Sequence, residues 1–177
     1  MVEIATAVVA VMIVMQTPPE PLLVSRLVLG GILIVLFFID LEHHILPNLI
    51  TLPGIVVGFL FSLITAPGPT SSLIGVALGA GVLYAIATGY YAIRKEEGMG
   101  MGDVKMLAMI GAFLGWPAVV LTLILSSFSG AIIGLLLVVL TRADGRHALP
   151  FGTFLALAAL IAMLGGDPIL DWYLRRF

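Results

Sequence analysis

The sequence is a succession of apolar runs separated by proline, glycine or charged residues. These runs predict seven helices, at residues 2–16, 22–40, 52–66, 72–93, 104–116, 117–141 and 150–165. Several are shorter than the roughly 20 residues that cross a bilayer core, so these spans must tilt little, thin the membrane or extend into flanking residues. The period-2 alternation of a membrane β-barrel is absent from the sequence. The pattern therefore predicts an all-α fold, a polytopic transmembrane helix bundle of about six to seven spans.

Composition narrows the class of protein. Of the 177 residues, 61% are hydrophobic and only 10% are charged, which indicates an integral membrane protein. The net charge of −2 and the lack of a basic tract argue against a nucleic-acid partner. The chain has no cysteine, which excludes disulfides, thiolate metal sites and a cysteine nucleophile. Any chemistry must therefore use oxygen or imidazole groups.

No soluble segment or internal repeat divides the chain. Residues 1–177 are therefore predicted to form a single membrane-embedded domain with its core at 22–165. Residues 4–15 lack the basic region and the cleavage site of a signal peptide, and they are interpreted as a short first span. The tail at 168–177 is interpreted as an interfacial helix, unless the last span is miscounted.

Four pairs of glycines predict close packing between helices. A spacing of four places small residues on one helix face and lets neighbouring backbones approach. The pairs are Gly54/Gly58, Gly75/Gly79, Gly111/Gly115 and Gly130/Gly134. Their expected role is packing rather than catalysis.

The basic residues predict the orientation of the bundle. Three connections, around 40–50, 94–102 and 142–149, fall on one side and hold Arg94, Lys95, Arg142 and Arg146. The opposite connections, at 16–21 and 67–71, hold no lysine or arginine. The positive-inside rule makes the first side cytoplasmic. Arg175 and Arg176 disagree, because seven spans would place the C-terminus outside.

Two of the five aspartates, Asp40 and Asp103, are joined to apolar helices. A charge inside a membrane costs roughly 2.5–3.5 kcal/mol at its centre and less near a helix end, so such an acid usually has a partner or a task. Asp40 closes the second predicted span and Asp103 opens the fifth, which places both on the predicted cytoplasmic side. The alternative is that each acid only marks a helix boundary, with Asp103 as an N-cap.

As a pair, the two acids suggest hydrolytic chemistry. Two carboxyl groups that share a site cannot both ionise cheaply, so together they hold one proton. The charged member can activate water while the protonated member polarises a peptide carbonyl. The implied reaction is peptide hydrolysis without a covalent intermediate. Sequence separation alone does not show that Asp40 and Asp103 meet.

Other motifs are weaker. His43 and His44 are adjacent and do not match a zinc-binding H-E-x-x-H helix, so an interfacial loop pair is favoured. Ser126, Ser127 and Ser129 lack the preceding glycine of a nucleophile elbow and are interpreted as polar groups within the helix packing. A second class of function is a non-enzymatic transporter or assembly subunit that uses Asp40 and Asp103 as proton or ion-pair sites. A transporter, however, would place such acids near the bilayer midplane and often contains inverted repeats.

An ordered set of motifs resembles a known family, the type IV prepilin peptidases, which are GxGD aspartyl proteases. The set consists of Ile39-Asp40-Leu41, Leu46-Pro47-Asn48, Leu52-Pro53, Gly100-Met101-Gly102-Asp103-Val104-Lys105, Gly111-Ala112-Phe113-Leu114-Gly115-Trp116 and Pro150-Phe151-Gly152. It covers most of the chain from about 22 to 164. A lone GxGD would be a weak signal, whereas the ordered set is specific.

The resemblance implies an inner-membrane endopeptidase that removes the short basic leader of prepilins or pseudopilins, cutting after a glycine at the cytoplasmic face. Carried over by position, Asp40 and Asp103 become the catalytic pair, and Gly100 and Gly102 shape the active-site loop. No cofactor and no metal are expected. The expected partners are a prepilin or pseudopilin precursor and membrane lipid, and the oligomeric state is left open.

Two departures from the family pattern matter. Many members have an acid where this chain has Asn48, so that position is not expected to be catalytic. Many bacterial members also carry a cysteine-containing segment and methylate the new N-terminus with S-adenosylmethionine. This chain has no cysteine, which predicts a short-form peptidase without methyltransferase activity, unless the chain is a fragment. A related intramembrane protease that cuts other substrates is a third interpretation.

Overall fold

The computed structural model describes residues 2–95, 100–141 and 150–174. They form six helices: α1 Val2–Gln16, α2 Pro21–His43, α3 Asn48–Ser62, α4 Pro69–Arg94, α5 Met101–Thr141 and α6 Phe151–Leu174. No strand occurs among these residues. Helices α2, α4 and α5 are long and apolar enough to cross a membrane, and α1, α3 and the part of α6 at 151–166 are shorter apolar helices. The prediction of an all-α integral membrane protein is confirmed.

Helix α5 contains a sharp break at Gly115. This residue has φ 78° and ψ 176°, a backbone conformation that side chains other than glycine rarely adopt, and Pro117 follows it. On a straight helix Gly102 and Gly130 would lie about 42 Å apart. Both instead lie near the beginning of α6. Gly102 packs on Leu46, and Leu46 also contacts Gly152 in the first turn of α6. Gly130 lies beside Phe154 in the same turn.

The chain therefore turns back within α5. Leu121 lies beside Gly166 near the far end of α6, so the second segment runs antiparallel to α6 and returns to the end where α5 began. Gly115 itself packs on Pro67, in the α3–α4 connection, and on Ser71, in the first turn of α4, at the opposite end of the bundle. Among the described residues, the six helices thus contain seven segments that alternate in direction. The segments 101–114 and 116–141 correspond to the separately predicted helices at 104–116 and 117–141.

Several predicted boundaries were wrong, including the end of the third helix, which is Ser62 rather than 66, and the start of the fourth, which is Pro69 rather than 72. Helix α3 begins at Asn48 rather than at 52, because the chain turns helical directly after Pro47, whose carbonyl accepts hydrogen bonds from the amides of Ile50 and Thr51. Pro53 therefore lies inside the helix instead of near its start. Helix α6 continues to Leu174, well beyond 165, so most of the tail at 168–177 is continuous with it.

The first segment of α5 is the centre of the core. Met106, Leu107, Met109 and Ile110 are fully buried there. Helix α4 meets this segment backbone to backbone. A Cβ atom at Gly75 would lie 2.6 Å from the carbonyl oxygen of Gly111, and one at Gly79 would lie 2.7 Å from that of Leu107. These two glycines pack as predicted.

Helix α3 packs on the same segment through its own glycines. Gly54 contacts Met109, and a Cβ atom at Gly58 would lie 2.5 Å from the ring of Phe113. Gly130 differs, because its nearest neighbour, Phe154, would be at an ordinary 3.8 Å. The close packing is therefore concentrated around residues 101–115, which fixes the position of Asp103 at the start of this segment.

Candidate active site

Asp40 lies in the last turn of α2 and is 5% exposed. The helix ends three residues later, at His43, and the next residue, His44, adopts a left-handed conformation and donates its amide to the Asp40 carbonyl. The carboxylate of Asp40 accepts two hydrogen bonds from Thr153 in α6. The Thr153 amide donates to Oδ2 at 2.7 Å, and the Thr153 hydroxyl donates to the same oxygen at 3.0 Å. The side chain is thus buried and held by another helix.

Asp103 lies in the first turn of α5 and is 8% exposed. Its amide donates to the carbonyl of Gly100 at 3.1 Å. The residue is inside the helix rather than before it, and within the described ranges no group donates a hydrogen bond to its carboxylate. The N-cap alternative is therefore not what this geometry shows.

The structure brings the two acids together. The carboxyl groups of Asp40 and Asp103 are close enough to interact electrostatically, although they come from helices that are far apart in the sequence. Both sit at the end of the bundle where α2 ends and α5 and α6 begin. Neither the carboxylate of Asp40 nor that of Asp103 forms an ion pair with a basic side chain in the described part of the chain.

Leu46 contacts both Gly102, which precedes Asp103, and Gly152, which lies beside the Asp40 carboxylate. It lies in the short α2–α3 connection and is 9% exposed. A Cβ atom at Gly102 would lie 2.7 Å from the Leu46 Cβ, and one at Gly152 would lie 2.9 Å from its Cδ1. The same Cβ at Gly152 would lie 2.8 Å from Asp40 Oδ2. Two glycines thus make room for Leu46 and for the carboxylate beside it.

The arrangement suits acid–base chemistry on a water molecule. Two carboxyl groups in one buried, apolar setting can share a proton, so that one acts as base and the other as acid. Among the described residues, no group of three or more histidine, aspartate or glutamate side chains is placed to hold a metal ion.

The comparison with known families is decisive. Residues 27–135 match the type IV leader peptidase family. The chain belongs to this family.

Individual relatives agree. A prepilin leader peptidase/N-methyltransferase of Aeromonas salmonicida is 40% identical over 98% of this chain and 60% of its own length. Its counterparts in Aeromonas hydrophila and Pseudomonas aeruginosa are 39% and 36% identical, over 100% and 85% of this chain and 61% and 52% of their own lengths. The chain thus spans between 52% and 61% of the length of these three relatives. No solved structure matches it.

Within this leader peptidase family member, Asn48 has a structural partner. Its Oδ1 accepts a hydrogen bond from the Lys105 ammonium group at 2.7 Å, which connects the start of α3 to the first turns of α5. The contact gives position 48 a role in holding the two helix starts together, and it needs no catalytic explanation.

The remaining sequence candidates lie elsewhere. Ser126 and Ser129 donate hydrogen bonds to carbonyls of their own helix, at Leu123 and Leu125, as expected for polar groups within a helix. Arg142 and Arg146, which entered the prediction of orientation, lie outside the described residues. The stretch at 96–99 that precedes Gly100 also lies outside them.

Sequence reasoning missed Thr153 and Leu46. The motif around Pro150-Phe151-Gly152 pointed to the correct place, but it stopped one residue before Thr153. Leu46 is part of the Leu46-Pro47-Asn48 motif, but nothing in that motif predicts its contacts with Gly102 and Gly152.

Proposed function

We propose that this protein is a membrane aspartic endopeptidase that removes the short leader of type IV prepilins or pseudopilins. The observation that carries the proposal is the pairing of Asp40 and Asp103, two buried carboxyl groups from different helices at one end of the bundle. Membership of the leader peptidase family supports peptide hydrolysis as the reaction. The two carboxyl groups supply the acid and the base that this reaction needs. The substrate class is that of the relatives named prepilin leader peptidases.

In this proposal one carboxylate removes a proton from water while the other carboxyl group donates a hydrogen bond to the scissile carbonyl. The water attacks the carbonyl carbon, and the resulting tetrahedral intermediate collapses when the leaving nitrogen is protonated by the acid that now carries the extra proton. The peptide is thus cut without a covalent enzyme intermediate. Gly100 directly precedes α5, whereas Gly102, predicted to shape a loop, lies in the first turn of the helix beside Asp103.

The proposed active site faces the cytoplasm at the inner membrane. Arg94 and Lys95 end α4 at the same end of the bundle as the two acids, and Arg142 and Arg146 follow α5, which returns to that end. The positive-inside rule assigns this end to the cytoplasm. A transport role is less well supported, because the acids lie at helix ends rather than in the middle of the segments.

The direct test is cleavage of a model prepilin by the purified chain in liposomes. The substrate carries a basic leader, a glycine at the junction and an apolar helix, and the product mass gives the bond that is cut. Cleavage after the junction glycine is the expected result. A folded protein that never cuts this substrate would contradict the proposal and favour the transport or assembly alternative.

The two glycines that precede Asp103 are expected to differ in their sensitivity to substitution. A methyl group at Gly102 would meet Leu46 at 2.7 Å, whereas at Gly100 the nearest described atom, Asp103 Oδ2, would be at 3.7 Å. We expect Gly102→Ala to reduce the cleavage rate about 10-fold more than Gly100→Ala, because a displaced α5 start moves Asp103. Rates measured on the same substrate provide the check. Equal effects of the two substitutions would show that Leu46 does not set the position of the helix start.

A further inference from the structure

We propose that Thr153 is a positioning residue for Asp40, which orients the carboxylate so that one oxygen is fixed and the other is presented to the reaction. The inference rests on the proposed peptidase function. It concerns a residue that lies just beyond the Pro150-Phe151-Gly152 motif and is itself 6% exposed.

The geometry is that of a two-donor anchor. The backbone N–H of Thr153 lies 2.7 Å from Asp40 Oδ2, and the hydroxyl lies 3.0 Å from the same atom. Two donors on one oxygen restrain rotation of the carboxyl group about its Cβ–Cγ bond. In the described part of the chain, Asp40 Oδ1 accepts no comparable hydrogen bond.

The anchor also determines where a proton can sit. A backbone N–H can only donate, so Oδ2 must act as an acceptor towards it. Because the Thr153 amide and hydroxyl both donate to Oδ2, they occupy both of its lone pairs, and a proton shared between the two acids lies on Asp103 or on Oδ1 of Asp40, away from Thr153. Oδ1 is therefore the oxygen of Asp40 that remains free to exchange a proton with water or with Asp103.

Gly152 allows the anchor to form. Its missing side chain leaves Asp40 Oδ2 room next to the first turn of α6, since a Cβ atom there would lie 2.8 Å from that oxygen. Helix N-termini favour carboxylates because their free N–H groups point outward. Asp103 has no equivalent donor among the described residues, so the two acids are held differently.

The test compares Thr153→Val, which removes only the hydroxyl, with Thr153→Ser, which retains it. We expect Thr153→Val to lower kcat for prepilin cleavage about 10- to 100-fold, the effect of losing a hydrogen bond to a charged group, with KM changed by less than about 2-fold. Thr153→Ser should retain kcat within about 3-fold of the wild type. Thr153→Ala is the second variant if Thr153→Val does not fold.

Thr122→Val is the matched control. Thr122 is fully buried, and its hydroxyl has no hydrogen-bond partner within the described residues, so the same substitution there removes no anchor. Its kcat should equal that of the wild type. An unchanged kcat in Thr153→Val, a loss of equal size in Thr122→Val, or a failure of Thr153→Ser to retain activity would each overturn the inference.

A measurement that does not depend on cleavage separates this inference from the proposed function. Infrared spectra of protein labelled with 13C-carboxyl aspartate, with Asp40→Asn used to assign the band, report hydrogen bonding to the Asp40 carboxylate. We expect Thr153→Val to shift this band and Thr122→Val to leave it in place. A wild type that folds but does not cut would refute the peptidase function alone, while an unshifted band would refute the anchor.

Discussion

Replacing either acid of the pair by asparagine is expected to abolish leader cleavage, with a loss of about 10³-fold or more. Asparagine has the shape of aspartate but can neither accept a proton from water nor return one to the leaving nitrogen, and each of these roles contributes about 10²- to 10⁴-fold. In Asp40→Asn the amide oxygen can still accept the hydrogen bonds of Thr153. The fold should therefore survive, and the chemistry alone should be lost.

The matched control is Glu42→Gln, since Glu42 is an exposed acid in the same final turns of α2. It should cut within about 2-fold of the wild type, as expected for a surface substitution. Initial rates on the model prepilin, with elution from a sizing column to verify folding, provide the measurement. Cleavage that persists in folded Asp40→Asn or Asp103→Asn would remove that residue from the mechanism.

The second large effect concerns stability, at the contact between α4 and α5. In Gly75→Ala the added methyl group would lie 2.6 Å from the carbonyl oxygen of Gly111, which is backbone and cannot move aside without moving α5. Overpacking of this kind costs about 1–3 kcal/mol in the free energy of unfolding, and sometimes more. For a chain of this size that corresponds to a fall of about 2–12 °C in melting temperature.

Gly81→Ala on the same helix is the control, because no described atom lies within 4 Å of a Cβ atom there. It should leave the melting temperature unchanged or raise it slightly, since alanine favours a helix more than glycine does. Thermal unfolding of both variants in one detergent gives the comparison. Equal melting temperatures would mean that the helices separate more easily than this contact implies.

The sequence was sufficient to predict that the two acids lie at the same end of the bundle, although not that they meet, for a physical reason. Asp40 and Asp103 end and begin apolar segments, and an alternating up-and-down chain places the end of one such segment beside the beginning of another. The close packing at Gly75 and Gly79 was predicted from a different pattern. Small residues spaced four apart lie on one helix face and allow contact between backbones.

Other features depend on contacts that no local pattern contains. The start of α3 was misplaced because Pro53 is tolerated inside the helix, where a proline usually signals a boundary. The hydrogen bond of Thr153 to Asp40 depends on the packing of α6 against α2. The position of Leu46 in the site depends on its contacts with Gly102 and Gly152. The residues that support a site are identified by their neighbours in space, which are distant in the chain.

The hydrogen bonds between Thr153 and Asp40 join residues 113 positions apart. Asp40 and Asp103 both precede Thr153 in the chain, so both acids are made before the residue that anchors Asp40. A nascent chain halted between Asp103 and α6 would hold both acids without the anchor. The order of synthesis therefore delays a competent site until α6 has entered the membrane.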